Sequence, residues 1–254
     1  RATIVKHAKN SEHSNRIEAM LKLARSESDL AVTGSQLDSD LHLLNAGNST
    51  VDLRTGEVRP HTPEDLLSKI AGGDFEPGFQ LDIWDTFLQQ VTAGDDEFLE
   101  LLQLAAGYTL SGSIDEHLLF VIHGPGGSSK STFLEALGAA MGDYCVRIGF
   151  EALLATDGDS RPRPDIARLP GARLVIASEV EPGQRFKSGL IKSITGGEIV
   201  TARGLYSKPF EFRPQCKLWL GANEIPNWDR RDTGLRRRFV FLPFENQLSA
   251  KDMD

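Results

Sequence analysis

Cysteine is nearly missing from this 254-residue chain: Cys145 and Cys216 lie far apart, without the spacing of a metal or redox site. That excludes a disulfide framework and a cysteine-built metal centre. The pair is expected to be reduced core residues of a cytoplasmic protein. Long apolar runs are also missing, and Arg1-Ala2-Thr3-Ile4-Val5-Lys6 has no signal-peptide pattern, so no membrane partner is expected. Positive charge is short: 28 lysines and arginines stand against 36 acids, a net charge of -8. A protein that coats nucleic acid non-specifically is excluded, and any contact with DNA must come from a local basic patch. There is no internal repeat and no low-complexity tract. The chain begins without methionine and is expected to be part of a longer protein.

What is present suits a globular protein. Apolar residues make up 40% and charged residues 25%, enough for one large domain or two smaller ones. Ile17, Met20, Leu21 and Ala24 at helical spacing predict a short amphipathic helix within residues 12–25. Val51-Asp52-Leu53 and Glu57-Val58-Arg59 around Gly56 predict a small hairpin. Thr62-Pro63-Glu64-Asp65 reads as a helix start with Thr62 as N-cap. Two helical stripes follow: Leu81, Trp84, Phe87, Leu88 and Val91, then Phe98, Leu101, Leu102, Ala105 and Tyr108. Trp84 on such a stripe is core. His42 and His61 have no cluster around them and read as surface or packing residues. The helices look like a collar, with a boundary near Ser111-Gly112-Ser113. The expected organisation is a mainly helical accessory region over residues 1–112 and an α/β core over 113–254.

The stretch the core is built around is Gly124-Pro125-Gly126-Gly127-Ser128-Ser129-Lys130-Ser131-Thr132. The apolar run Leu118–Ile122 before it has the length of a strand buried on both faces. Phe133, Leu134, Leu137 and Met141 after it fall on one helical face. In a strand–turn–helix, glycines let the backbone wrap an anion, and N–H groups with the positive helix end face phosphates. Lys130 is expected to reach the β- and γ-phosphates of ATP, and the Ser131 hydroxyl to ligate Mg²⁺, with Thr132 the weaker candidate. The pattern Gly-x-x-x-x-Gly-Lys-Ser/Thr has glycine before the lysine, whereas this chain has Ser129. If the backbone there has φ > 0, serine costs about 1 kcal/mol.

Downstream residues fit the same chemistry. Arg173–Glu181 reads as an apolar strand ending in acids. Glu179 and Glu181 at its end suit a metal-holding or water-orienting carboxylate and its assistant. A third strand from Cys216 ends at Asn223, whose neutral amide suits a γ-phosphate or the attacking water. Arg236-Arg237-Arg238 leads into Phe239–Pro243, and arginines at that point suit phosphate or carboxylate partners. Between these strands, Ile199-Val200-Thr201 and Phe210-Glu211-Phe212 predict a hairpin whose turn carries Arg203, Tyr206 and Lys208, suited to a nucleic-acid backbone. Arg161-Pro162-Arg163-Pro164-Asp165 is a stiff basic segment with no assigned role.

Taken together, residues from about Leu41 to Phe244 resemble superfamily 3 helicases, especially the helicase half of phage and plasmid primase-helicases. The resemblance rests on five parts. They are the phosphate loop, the acidic strand, Thr195-Gly196-Gly197-Glu198 with its hairpin, the strand ending in Asn223, and the arginines before Pro243-Phe244. Leu53–Pro60 resembles the accessory region preceding the core. The resemblance implies a P-loop fold of the AAA type and a homo-oligomeric ring, usually a hexamer. It also implies ATP with Mg²⁺ at subunit interfaces, movement along DNA, and a primase domain in the same longer chain. It makes Lys130 and Ser131 the first motif, Glu179 the second, Asn223 the sensor and the hairpin the DNA element. Arg238 becomes the arginine acting in trans, with Arg237 the runner-up. Ser128 and Ser129 depart from the asparagine and glycine usual in the family. The implied setting is the cytoplasm of a bacterial host. The rival readings are a nucleotide-binding ring scaffold with weak hydrolysis and a P-loop kinase for a small metabolite.

Overall fold

The computed structural model describes residues 2–27, 30–154, 163–178, 186–223 and 228–247. The chain divides into two compact units, residues 1–39 and 40–254. In the first, α1 (Ala2–Ser11) and α2 (Ser14–Ala24) are helices, and α2 carries the stripe expected over residues 12–25. The helix at residues 2–11 is an element not among those expected from the sequence.

The second unit opens with a small antiparallel sheet of β1 (Leu43–Asn45), β2 (Thr50–Asp52) and β3 (Glu57–Arg59). The predicted hairpin is its second half, turning at Gly56 with φ 74. The helix expected from Thr62 is only a 3₁₀ turn, Pro63–Asp65. It stops because Leu66 turns left-handed at φ 50, while Asp65 is held by Arg59 at 2.6 Å instead of extending a helix. The two striped segments form α3 (Asp82–Val91) and α4 (Asp96–Leu110). Trp84 stacks on Phe87 and on Phe133, as a core residue does.

The core sheet holds β4 (Leu119–His123), β5 (Cys145–Gly149), β6 (Leu174–Ser178), β9 (Lys217–Ala222) and β10 (Phe239–Pro243). All pairs are parallel, in the order β10-β4-β9-β6-β5. Alternate residues feed two cores, because successive side chains of a strand point to opposite faces. Leu119 and Val121 join one cluster with α6 (Ser188–Gly196); Phe120 and Ile122 join another with α5 (Lys130–Met141), α3 and α4. The hairpin β7 (Val200–Ala202) and β8 (Phe210–Phe212) is a separate two-stranded sheet, and α7 (Thr233–Arg236) precedes β10. This is an α/β domain with a parallel core preceded by helical elements, a P-loop-like arrangement.

At the end of the core sheet where β6 and β9 begin, two cations are buried. Arg173 donates to the carbonyls of Leu110 and Leu43, both at 2.6 Å, and lies 4.5 Å from the Tyr144 ring. Lys217 donates to the Ser111 carbonyl and lies 4.5 Å from the Tyr108 ring. The residues around Ser111 are therefore buried, with Gly112 N–H donating to Leu41 O. Cys216 is buried and Cys145 half-buried, both as free thiols. Among the described residues no helix is long and apolar enough to cross a membrane, and no cluster of His, Cys, Asp and Glu suits a metal.

Candidate functional site

In parallel strands the residues following each strand share one edge, and in open α/β sheets ligands bind outside that edge. His123 pairs with Ala222, and Ser178 with Gly221. Gly124 and Asn223 therefore leave the sheet at the same level on neighbouring strands. Asn223 is exposed there. β6 ends at this edge with Ser178, and Glu179 and Glu181 fall outside the described residues.

The loop from Gly124 is shaped by its backbone. Gly127 has φ 78, and Ser129 has φ 60 and ψ 18, the left-handed conformation that favours glycine. Gly124 is required for a different reason: a Cβ there would collide with the Phe244 carbonyl. Phe244 N–H donates to His123 O at 2.7 Å, and Gln247 Nε2 donates to Gly126 O at 3.0 Å, so the segment after β10 straps the loop from one side. Asn246 Nδ2 continues the strap by donating to Gln90 O of α3. Nothing in the spacing of these residues announces the strap, since it follows from chain path alone.

Ser128 is buried, its hydroxyl donating to Pro125 O at 2.8 Å. Pro125, Gly126 and Gly127 are exposed. Lys130 Nζ folds back onto the loop, donating to Gly124 O and Pro125 O at 2.7 Å each and lying 3.1 Å from Ser128 Oγ. Burial holds its ammonium below the ordinary lysine value, and likewise holds the His123 imidazole below its own. Ser129 gives no side-chain cap to α5, although its carbonyl accepts the first helical bond, from Phe133 N–H at 3.0 Å. The first-turn N–H groups of a helix have no intrahelical partner, so this end suits an anion. Ser131 and Thr132 are exposed on that turn. The residues fit ATP and Mg²⁺: an exposed glycine loop, a helix end, a lysine and a hydroxyl meet at one sheet edge.

The arginines divide. Arg238 is buried, its Nε donating to Thr195 Oγ1 of α6 at 2.9 Å and a terminal nitrogen to Gly234 O. Arg236 and Arg237 are exposed. All three precede β10, whose first residue pairs with Leu119, so they lie at the opposite end of the strand from Gly124. Five residues at about 3.3 Å each separate the two ends by about 16 Å.

The hairpin presents its turn to solvent. Tyr206 is fully exposed and left-handed at φ 58, and Lys208 is exposed nearby. Arg203 Nε donates to Ser207 O at 3.3 Å within the same turn. Sequence reading missed the buried pair Arg173 and Lys217. The available signal was a single cation opening an otherwise apolar strand.

Comparison with known proteins agrees with this geometry. A family model described as D5 N terminal like matches residues 1–93, and one described as a family of unknown function, DUF5906, matches residues 122–238. The chain is 29% identical over 216 residues to a candidate helicase, L207/L206, of Acanthamoeba polyphaga mimivirus, covering 82% of this chain and 22% of that protein. It is 27% identical over 150 residues to a candidate helicase, 022R, of Frog virus 3, covering 57% of this chain and 15% of that one. The chain thus spans about a fifth of these relatives. Its fold is similar to the apo NrS-1 C terminal region, with a TM-score of 0.58 at 18% identity over 84% of this chain and 48% of the other. With the phosphate loop, the Asn223 strand end and the hairpin in place, the chain is similar to the superfamily 3 helicase and primase-helicase family.

Proposed function

We propose that this chain is the ATP-dependent DNA helicase module of a phage- or plasmid-type replication protein. In this reading it has an AAA-type core and works as a homo-oligomeric ring, with a primase domain elsewhere in the longer chain. The observation that carries the reading is the β4–loop–α5 turn, with Lys130 at its mouth and Asn223 leaving the neighbouring strand at the same edge. Loop N–H groups bind the phosphates, and Lys130 moves from the Gly124 and Pro125 carbonyls to the β- and γ-oxygens. Mg²⁺ would supply positive charge that offsets the charge developing in phosphoryl transfer. The Ser131 hydroxyl and Glu179 hold that ion, Glu181 assists, and Asn223 orients the attacking water. Arg237, exposed at the far edge, reaches a neighbour's nucleotide more readily than Arg238, which is engaged by α6 and α7. Arg203, Tyr206 and Lys208 meet DNA.

Lys130→Ala tests the site. ATP turnover is expected to fall by about 10²-fold or more, as when one transition-state donor is removed. Unchanged hydrolysis overturns the assignment. A nucleotide-binding ring with weak hydrolysis is the second reading, favoured by the left-handed Ser129 where glycine is strain-free. Turnover measured beside nucleotide affinity separates the two.

A further inference from the structure

Gly126 and Gly127 are the loop residues that packing does not hold: a Cβ added at either would meet nothing within 4 Å, and both are exposed. Glycine in open space has more backbone freedom than any other residue, so the peptide between them needs a partner to fix its direction. Gln247 is that partner. Its Nε2 donates to Gly126 O at 3.0 Å from a segment 121 residues along the chain. That segment is itself firmly mounted. Phe244 is buried, its N–H donating to His123 O at 2.7 Å and its ring edge-on to Phe98 of α4 at 6.1 Å and to Phe133 of α5 at 5.5 Å. Asn246 Nδ2, next to Gln247, donates to Gln90 O of α3 at 2.6 Å.

Peptide geometry turns this contact into a direction. A trans peptide is planar and carries its C=O and N–H on opposite sides, and none of the described peptides is cis. Holding Gly126 O on the strap therefore points Gly127 N–H away from the strap. The Ser128 hydroxyl fixes the preceding peptide in the same way, by donating to Pro125 O at 2.8 Å, and so sets Gly126 N–H. Two successive N–H groups of fixed direction are the donors an anion-binding loop uses. Lys130 also holds Gly124 O and Pro125 O, but in the reading above it moves to phosphate oxygens. Ser128 and Gln247 are the donors that stay.

We propose that Gln247 is a positioning residue of the nucleotide site. It sets the direction of the Gly126–Gly127 peptide and thereby tightens binding of a polyphosphate that it does not itself touch, because a loop ordered in advance lowers the ordering cost of binding. The inference rests on the reading of this loop as a phosphate cradle. It adds to that cradle a residue from the segment after β10, which no motif of the loop contains.

The test uses the 254-residue chain with Mg²⁺ and a bound fluorescent ATP analogue, displaced by ATP or by tripolyphosphate. Loss of one hydrogen bond in Gln247→Ala is expected to weaken both competitors about three- to tenfold. Tripolyphosphate has no base or sugar, so an equal loss for both places the effect at the phosphate loop. A loss for ATP alone overturns the proposal. In turnover, KM is expected to rise by the same factor with kcat unchanged, as when binding common to ground and transition states is removed. A fall in kcat at constant KM overturns it. Gln247→Glu keeps the side-chain length but offers an ionised carboxylate, which cannot donate to Gly126 O, so it is expected to bind at least as weakly as Gln247→Ala. Wild-type affinity in Gln247→Glu overturns the proposal too. If the wild-type chain binds neither competitor, the cradle reading falls and takes the proposal with it. If the wild type binds both and Gln247→Ala binds them equally tightly, the proposal falls alone.

Discussion

Ser129 shows how one side chain sets the cost of a phosphate loop. Its φ of 60 is a conformation that costs an L-residue about 1–2 kcal/mol, and its side chain makes no capping bond in return. The neighbouring Gly127, at φ 78, takes up its own part of the turn but cannot relieve Ser129. Ser129→Gly is therefore expected to stabilise the protein. The relief is partly offset by the extra unfolded-state freedom of glycine, about 0.4–1 kcal/mol, leaving a net gain of about 0.5–1 kcal/mol. Urea unfolding midpoints for the two proteins measure this. A lower midpoint for Ser129→Gly would mean that the serine hydroxyl contributes more than the strain costs. The chain accepts the left-handed backbone at Ser129 and keeps Lys130 at the loop mouth.

At the scale of elements, four of the five described parallel strands were legible and β5 was not. Apolar runs of strand length marked β4, β6, β9 and β10 because a strand buried on both faces has no polar alternation to hide it. The hairpins were legible from glycine and short alternating runs. Thr62-Pro63-Glu64-Asp65 failed as a helix signal because local capping chemistry lost to Leu66 and to the Arg59–Asp65 pair, both set by context beyond the motif. The strap from Phe244 to Gln247 and the inward turn of Arg238 depend on which segments meet in space, so no local pattern carries them. Glu179 and Glu181 remain readings of the sequence.

The buried Lys217 couples stability to pH. Burial pushes Lys217 down to about 7, with Arg173 nearby acting in the same direction and Cys216 and Asp115 opposing. Between this value and that of an unfolded lysine, about 10.4, the unfolded chain binds a proton that the folded chain lacks, so stability rises with pH. Burial raises Cys216 to about 12 and also raises Cys145, and both act oppositely once an unfolded thiol ionises near pH 8.5. Tyr108, also raised by burial, adds to that opposition only nearer pH 10. The wild-type chain is thus expected to gain up to about 1.4 kcal/mol per pH unit between about pH 7 and 8.5, then to stop gaining and turn down as the unfolded thiols ionise. Lys217→Met removes the rise while leaving the Cys216 contribution. Chemical denaturation of both proteins across pH 6.5–9.5 decides it, and parallel curves would show that Lys217 keeps its proton in the fold.

For the whole molecule, the decisive fact is that the exposed arginines and the phosphate loop lie at opposite ends of the same pair of strands, about 16 Å apart along the sheet. Arg237 cannot serve the loop of its own chain, so any role in hydrolysis requires a neighbour. Lys130→Ala and Arg237→Ala are each expected to lose ATP turnover, the second while retaining nucleotide affinity. Mixed in equal amounts and allowed to assemble, they are expected to recover part of it. An interface formed by Lys130 of the Arg237→Ala chain and Arg237 of the Lys130→Ala chain is a wild-type interface. Arg238→Ala behaves differently: its side chain joins Thr195 to Gly234 within one chain, so its loss lowers the stability of the isolated subunit. Recovery with Arg238→Ala in place of Arg237→Ala, combined with undiminished subunit stability, would reverse the two roles. No recovery in either mixture would mean that the site is complete within one chain, and that the ring is not what makes it active.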